Sequence, residues 1–194
     1  MRKTIRILLS AAAGISLLIF FAGCDGNDSD TGNTGNTSNR ITQANPNFAG
    51  KWELRTDLST AVDPWRTIRL DIDVDGSVID IEKTVTTGRR NTTENYRMDT
   101  ANEENFVPIA VWLDNRHIGA FLPHNSGKTI RADWLDDGQT LKMESSYTLE
   151  THQGETPVRA YIEYRLSRGG DRLTMLEIRS SRNRPILHVY ERQQ

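Results

Sequence analysis

The chain has 194 residues, with 26 acidic against 24 basic side chains, a formal net charge of -2 and a single cysteine. A balance this close to zero excludes a nucleic-acid partner held by bulk charge. One thiol cannot form an internal disulfide, so the fold has to be held by its core alone.

Taken in chain order, the first element is a leader. Arg2, Lys3 and Arg6 precede an uncharged, mostly apolar run over 7–23, the layout of a secretory signal that is removed. The run falls short of the ~20 apolar residues that cross a bilayer as a helix. It ends Phe21-Ala22-Gly23-Cys24. These residues resemble a bacterial lipoprotein signal, with Phe21 where that family usually carries Leu. The resemblance implies that Cys24 takes fatty acyl chains such as palmitate and becomes the new N-terminus. Several chains at about 0.8 kcal/mol per buried methylene form a stable membrane anchor. The implied location is the bacterial cell envelope, on a periplasm-facing membrane or the outer membrane; Asp25, directly after the cysteine, favours the inner membrane in enteric lipoproteins. Loss of the three leader charges moves the formal balance from -2 to -5.

Residues 24–46 carry one branched aliphatic residue, Ile41, and no aromatic, among Asp, Asn, Gly, Ser and Thr with single Cys, Arg, Gln, Ala and Pro residues. This composition buries too little surface to offset the entropy of ordering. It reads as a tether, and as a flexible coil of about twenty residues it would span roughly 25 Å.

Residues 47–194 make one domain by length, large enough for a sizeable core. The apolar period is 2. Ile68, Leu70, Ile72 and Val74 alternate with Arg69, Asp71 and Asp73; Leu141, Met143, Tyr147 and Leu149 and then Val158, Ala160, Ile162, Tyr164 and Leu166 repeat the pattern. Each run is a strand with one dry and one wet face. Turn chemistry at Asp75-Gly76, Gly88, Asp114-Asn115, Asp137-Gly138, Gln153-Gly154 and Gly169-Gly170 divides the runs into hairpins. The predicted fold is all-β, an antiparallel up-and-down meander barrel of about 8–10 strands.

The opening Asn47-Phe48-Ala49-Gly50-Lys51-Trp52 and the ending Tyr190-Glu191-Arg192 resemble the two ends of a lipocalin-like (calycin-type) barrel in bacterial lipoproteins. The resemblance implies that Gly50 lets the chain turn into strand one, that Trp52 plugs the closed end, and that Arg192, or else Arg184, packs over the indole. There is no Thr-Asp-Tyr in mid-chain and no helix following the last strand pattern, so the barrel is expected either to hold a ligand or to be filled by its own side chains.

Chemistry-bearing motifs are few. Asp71, Asp73, Asp75, Gly76 and Glu82 have the spacing of a calcium loop. Their flanks run at strand period, which makes the segment a hairpin with Asp71 and Asp73 on its outer face and leaves calcium as the alternative. His117, His124, His152 and His188 are scattered without ligand spacing and read as surface or loop residues, so no metal and no cofactor is expected. Asn125-Ser126-Gly127-Lys128-Thr129 lacks the upstream glycine of a phosphate loop and reads as a hairpin loop. No serine has an evident base, and the domain is expected to be noncatalytic.

Two stretches have a ligand-facing reading. Between 99 and 128 the apolar content exceeds one strand face; it forms either a core hairpin or a rim where Trp112 and Phe121 touch a ligand. Arg179, Arg182 and Arg184 gather at the last hairpin, where Arg182 and Arg184 would meet an anionic headgroup or form a solvated turn. The expected function is a membrane-anchored binding module for a small apolar or amphipathic ligand, and the alternative is an envelope protein-interaction module with a filled core. An enclosed cavity of about 300 Å³ or more would favour the first. Oligomeric state is not set by these residues.

Overall fold

A computed structural model describes residues 43–109 and 122–194. Cys24, Trp112, Phe121, His117 and the turn at Asp114-Asn115 lie outside them. Ten strands follow one another: β1 (Gly50–Leu54), β2 (Thr67–Asp75), β3 (Val78–Thr87), β4 (Arg90–Asp99), β5 (Asn105–Pro108), β6 (Gly127–Leu135), β7 (Thr140–Thr151), β8 (Gly154–Leu166), β9 (Arg172–Arg179) and β10 (Ile186–Arg192). Every pairing is antiparallel, in the order β4-β3-β2-β1-β10-β9-β8-β7-β6-β5. The first strand pairs with the last, Trp52 opposite Arg192 and Leu54 opposite Tyr190. The result is a nearly closed meander barrel with one seam, between β4 and β5.

Local chemistry sets the corners. Asp75 pairs with Val78 across a two-residue turn in which Gly76 takes a φ of 59°, a conformation that glycine adopts without a Cβ penalty. The segment with calcium-loop spacing is therefore a β-hairpin. Asp71 lies opposite Glu82 and Asp73 opposite Asp80 on its outer face, where Asp71 pairs with Lys51 and Asp80 with Arg97. Among the described residues, no group of three or more His, Cys, Asp or Glu side chains is placed to hold a metal ion.

Gly127-Lys128-Thr129, expected in a hairpin loop, instead opens strand β6 and pairs with β5 and β7. Its neighbour explains the glycine: a Cβ at residue 127 would sit 2.3 Å from the Phe106 ring.

The barrel interior is layered. At one end Phe48, Trp52, Ile72, Ile79, Leu141 and Leu173 are all fully buried. Phe48 meets Trp134 edge to face with centroids 4.9 Å apart, and the Trp52 Nε1–H donates to the Phe48 carbonyl at 3.0 Å. A middle layer holds Tyr164 and Tyr190 with Met143 and Met175. Above it, toward the other end, the inward positions turn ionic.

Candidate functional site

The closed end is held by a clasp. The Arg192 guanidinium lies 4.1 Å from the Trp52 ring centroid and donates to the carbonyls of Asn47 (2.6 Å), Ala49 (2.6 Å) and Gly170 (2.7 Å). A cation over an indole face combined with three carbonyl acceptors fixes the chain before β1 and the β8–β9 turn against the last strand. Gly50 belongs to the clasp because a Cβ there would lie 2.5 Å from Arg192 Nη1, and its φ of 134° suits only glycine. Arg184 is exposed and is not part of this contact. The clasp fixes the barrel's end, beside a surface hollow of about 380 Å³ lined by Asn47, Ala49, Arg168, Gly170 and Arg192.

The other half of the lumen carries charge. Strand period places Lys83 on β3, Glu94 and Tyr96 on β4, Lys128 on β6, and Glu177 and Arg179 on β9 at inward positions. There they line a chamber of about 40 Å³ with Ile162, Tyr164 and the two methionines of the middle layer. Glu94, Glu177 and Arg179 are each more than nine-tenths buried. Arg179 forks onto Glu177, its Nε donating to Oε1 at 2.7 Å with Nη2 at 2.5 Å. Lys83 faces Glu94 at 3.9 Å. The Tyr96 hydroxyl donates to Glu94 Oε2 at 2.6 Å and accepts from Lys128 Nζ at 3.0 Å.

Burial shapes the ionisation of this layer. Desolvation holds the Lys128 ammonium below the usual lysine range, against the opposing attraction of Glu94. The same cause pushes Tyr96 and Tyr164 upward, with Glu94 and Glu177 adding to it. His188 is inward too, only 5% exposed, with Nδ1 3.3 Å from the Tyr190 hydroxyl. Burial first, and then the charge of Lys83, lower its pKa to about 3, so it is a neutral imidazole under ordinary conditions.

These positions correct two sequence expectations. His188 is a lumen residue and not a surface or loop one. Arg179 is a buried ion-pair partner and not part of a solvated turn; Arg182 is half-buried beside it. The signal was in the phase of the strands: Lys83 stands in step with Ile81 and Val85, Glu177 with Leu173 and Met175, and His188 with Ile186 and Tyr190. A charged residue in phase with the dry face is a lumen residue unless the strand ends first.

Further hollows adjoin the barrel wall. In the seam, Thr93, Glu94, Asn95, Tyr96, Val107, Pro108 and Ile109 line a slot of about 120 Å³. One end of the seam is closed by Asn105, whose side chain accepts from Asp99 N–H at 2.8 Å and donates to the Asp99 carbonyl at 3.1 Å. On the outer face of β6 to β9 a shallow groove of about 540 Å³ runs past Arg131, Arg159, Tyr161 and Ile178, the last of them 49% exposed.

No family model matches the chain, and no curated protein matches it. Among solved structures it is similar to a point mutant of the REP1-NXSQ fatty acid transporter, at 14% identity over 75% of this chain and 98% of that one, with a TM-score of 0.43.

Proposed function

We propose that the protein is a noncatalytic binding module of the bacterial cell envelope, anchored by lipid on Cys24, whose barrel takes the polar end of a small amphipathic ligand. The observation that carries this reading is the ionic ring at the lumen mouth. Buried ion pairs are seldom more stabilising than well-packed apolar residues of the same volume. Five charged side chains around an open chamber are therefore poor filling and good recognition chemistry. The chamber, at about 40 Å³, is far below the 300 Å³ or more of a site that encloses a drug-sized molecule. It suits a polar head; the apolar part of a ligand would lie along the seam.

The same small chamber favours a second reading, a filled barrel that binds an envelope protein through the outer groove beside Ile178. Native mass spectrometry of the full-length protein purified from its own host separates the two. A retained small molecule supports the first; an empty barrel with a stoichiometric protein partner supports the second and overturns the first. The anchor has its own test: Cys24→Ser should leave the membrane fraction, and its retention there after high-salt washing would overturn the lipid attachment.

A further inference from the structure

The charges of the lumen mouth do not cancel. Lys83 faces Glu94, and Arg179 forks onto Glu177, which leaves the ammonium of Lys128. Its partners are a phenol and two rings: the Tyr96 hydroxyl at 3.0 Å, and the faces of Tyr96 and Tyr147 at 4.8 and 5.3 Å from their centroids. No carboxylate among the described residues comes within ion-pairing distance of it. Tyr96 already gives its own proton to Glu94, so it can only accept from Lys128, and two of the three ammonium protons remain to be donated.

Building on the binding-barrel reading, we infer that Lys128 is an anion site and that its ligand is a short-chain monocarboxylate, with the carboxylate in the chamber and the alkyl tail in the β4–β5 slot. Charge sets the valence. The ring of Lys83, Lys128 and Arg179 against Glu94 and Glu177 carries one net positive charge while His188 is neutral, so a monoanion neutralises it and a dianion overshoots. An amine would face two lysines and an arginine.

Size sets the head group. A water needs roughly 10–15 Å³ of probe volume, so a chamber of about 40 Å³ accepts about three heavy atoms, the number in a carboxylate. Among the described residues the tail has a dry route in the β4–β5 slot. Glu94 and Tyr96 line both the chamber and the slot, and Val107, Pro108 and Ile109 make the far wall of the slot apolar. At about 120 Å³ that route accommodates a short alkyl chain and excludes a long one. Glu94, the nearest acid, is screened from the incoming anion by Lys83 and by the Tyr96 proton.

Isothermal titration of the full-length protein with hexanoate, hexan-1-ol, hexylamine and hexadecanoate tests this. Hexanoate is expected to bind, with the alcohol and the amine weaker by about tenfold or more, the size of a charge-assisted hydrogen bond lost. Lys128→Met should weaken hexanoate by a similar factor while its near-ultraviolet circular dichroism stays that of the parent. Lys128→Arg, which keeps the charge, should stay within about threefold on the same reasoning. Hexanol binding as tightly as hexanoate, or undiminished binding by Lys128→Met, would overturn the anion site and leave the binding-barrel reading standing. Hexadecanoate binding more tightly than hexanoate would overturn the short-chain assignment. If no member of the series binds, the inference fails, and a small molecule retained in native mass spectrometry would show that the barrel reading has not failed with it.

Discussion

The two ends of the lumen are built from the same inward strand positions and differ in what occupies them. At the closed end the side chains are aromatic and aliphatic, and Arg192 meets three backbone carbonyls and an indole face. At the mouth, Lys83, Glu94, Lys128, Glu177 and Arg179 occupy equivalent positions around unfilled space. In the first arrangement each nitrogen of the cation donates to a backbone carbonyl, which stabilises the barrel. The second leaves a cation with protons to give, which costs stability. On the proposed reading, stability and recognition are separated along the barrel axis, so mutations at the two ends should differ in kind.

The largest expected effect is at the closed end. Trp52→Ala should cost about 3 to 5 kcal/mol, the range for deleting a large buried aromatic. Arg192→Ala should cost less, about 2 kcal/mol, as hydrogen bonds and a cation–π contact are lost together. The double mutant should be non-additive by about 0.5 kcal/mol or more, because each side chain's contribution includes the other. Urea unfolding of the four proteins measures this, and full additivity would mean that the clasp is not one unit.

At the mouth the comparison sharpens. Glu177→Ala removes the carboxylate onto which buried Arg179 forks, and should cost about 3 kcal/mol. Replacing the pair together, Glu177→Leu with Arg179→Met, should bring the stability back to near the parent's. No conservative apolar swap at Trp52 is expected to do the same. If the paired replacement is as damaging as the single one, the ion pair is structural and the contrast between the two ends collapses.

His188 should give the mouth a pH dependence that the closed end lacks. Its folded pKa of about 3 lies below the unfolded value of about 6.5, so between these values the unfolded chain binds the extra proton. The stabilisation is whole above pH 6.5 and is lost as pH falls toward 3, at about 1.4 kcal/mol per unit. Between pH 7 and pH 5, above most carboxylate titration, the parent should lose about 2 kcal/mol more than His188→Gln does. Equal slopes for the two proteins would show that the imidazole is accessible to protons when folded.

The smallest expected effect is none. Calcium should leave the thermal midpoint unchanged, since Asp71 and Asp73 stand on the outer face of a hairpin beside Lys51. A rise of several degrees, lost on Asp73→Ala with Glu82→Ala, would indicate binding to the native state.

Much of the architecture was legible because the forces that set it are local. Period-2 runs such as 68–74 and 158–166 give strands, and Asp75-Gly76 and Gly169-Gly170 give corners. Alternation also says which face is dry, which is why most of the core could be named. It does not say what else lies in that dry space. Lys128 looked like loop chemistry because Gly127 and Asn125 flank it, and the reason it begins a strand, the Phe106 ring packed on Gly127, is a cross-strand contact. Arg179 ends β9 directly before a turn, where a solvated arginine is the ordinary expectation; its burial depends on the registry of β8 and β9, which pairs it with Ala160. The ionic ring gathers β3, β4, β6 and β9, and a constellation assembled from four separated strands has no linear signature.

The pairing of β1 with β10 also dictates an order of events. Trp52 and Arg192 meet across almost the whole length of the domain, so the hairpins that do not use β10 can form while the chain is still emerging, but the cylinder cannot shut until its last strand arrives. Until then β1 offers a bare edge, the template on which strands of other chains add, and the closing contact carries the largest loop entropy of any in the molecule. The final step of folding is therefore also the most exposed one. The guanidinium that completes it reaches back to the residues that introduce the first strand, so that the end of the chain latches its beginning.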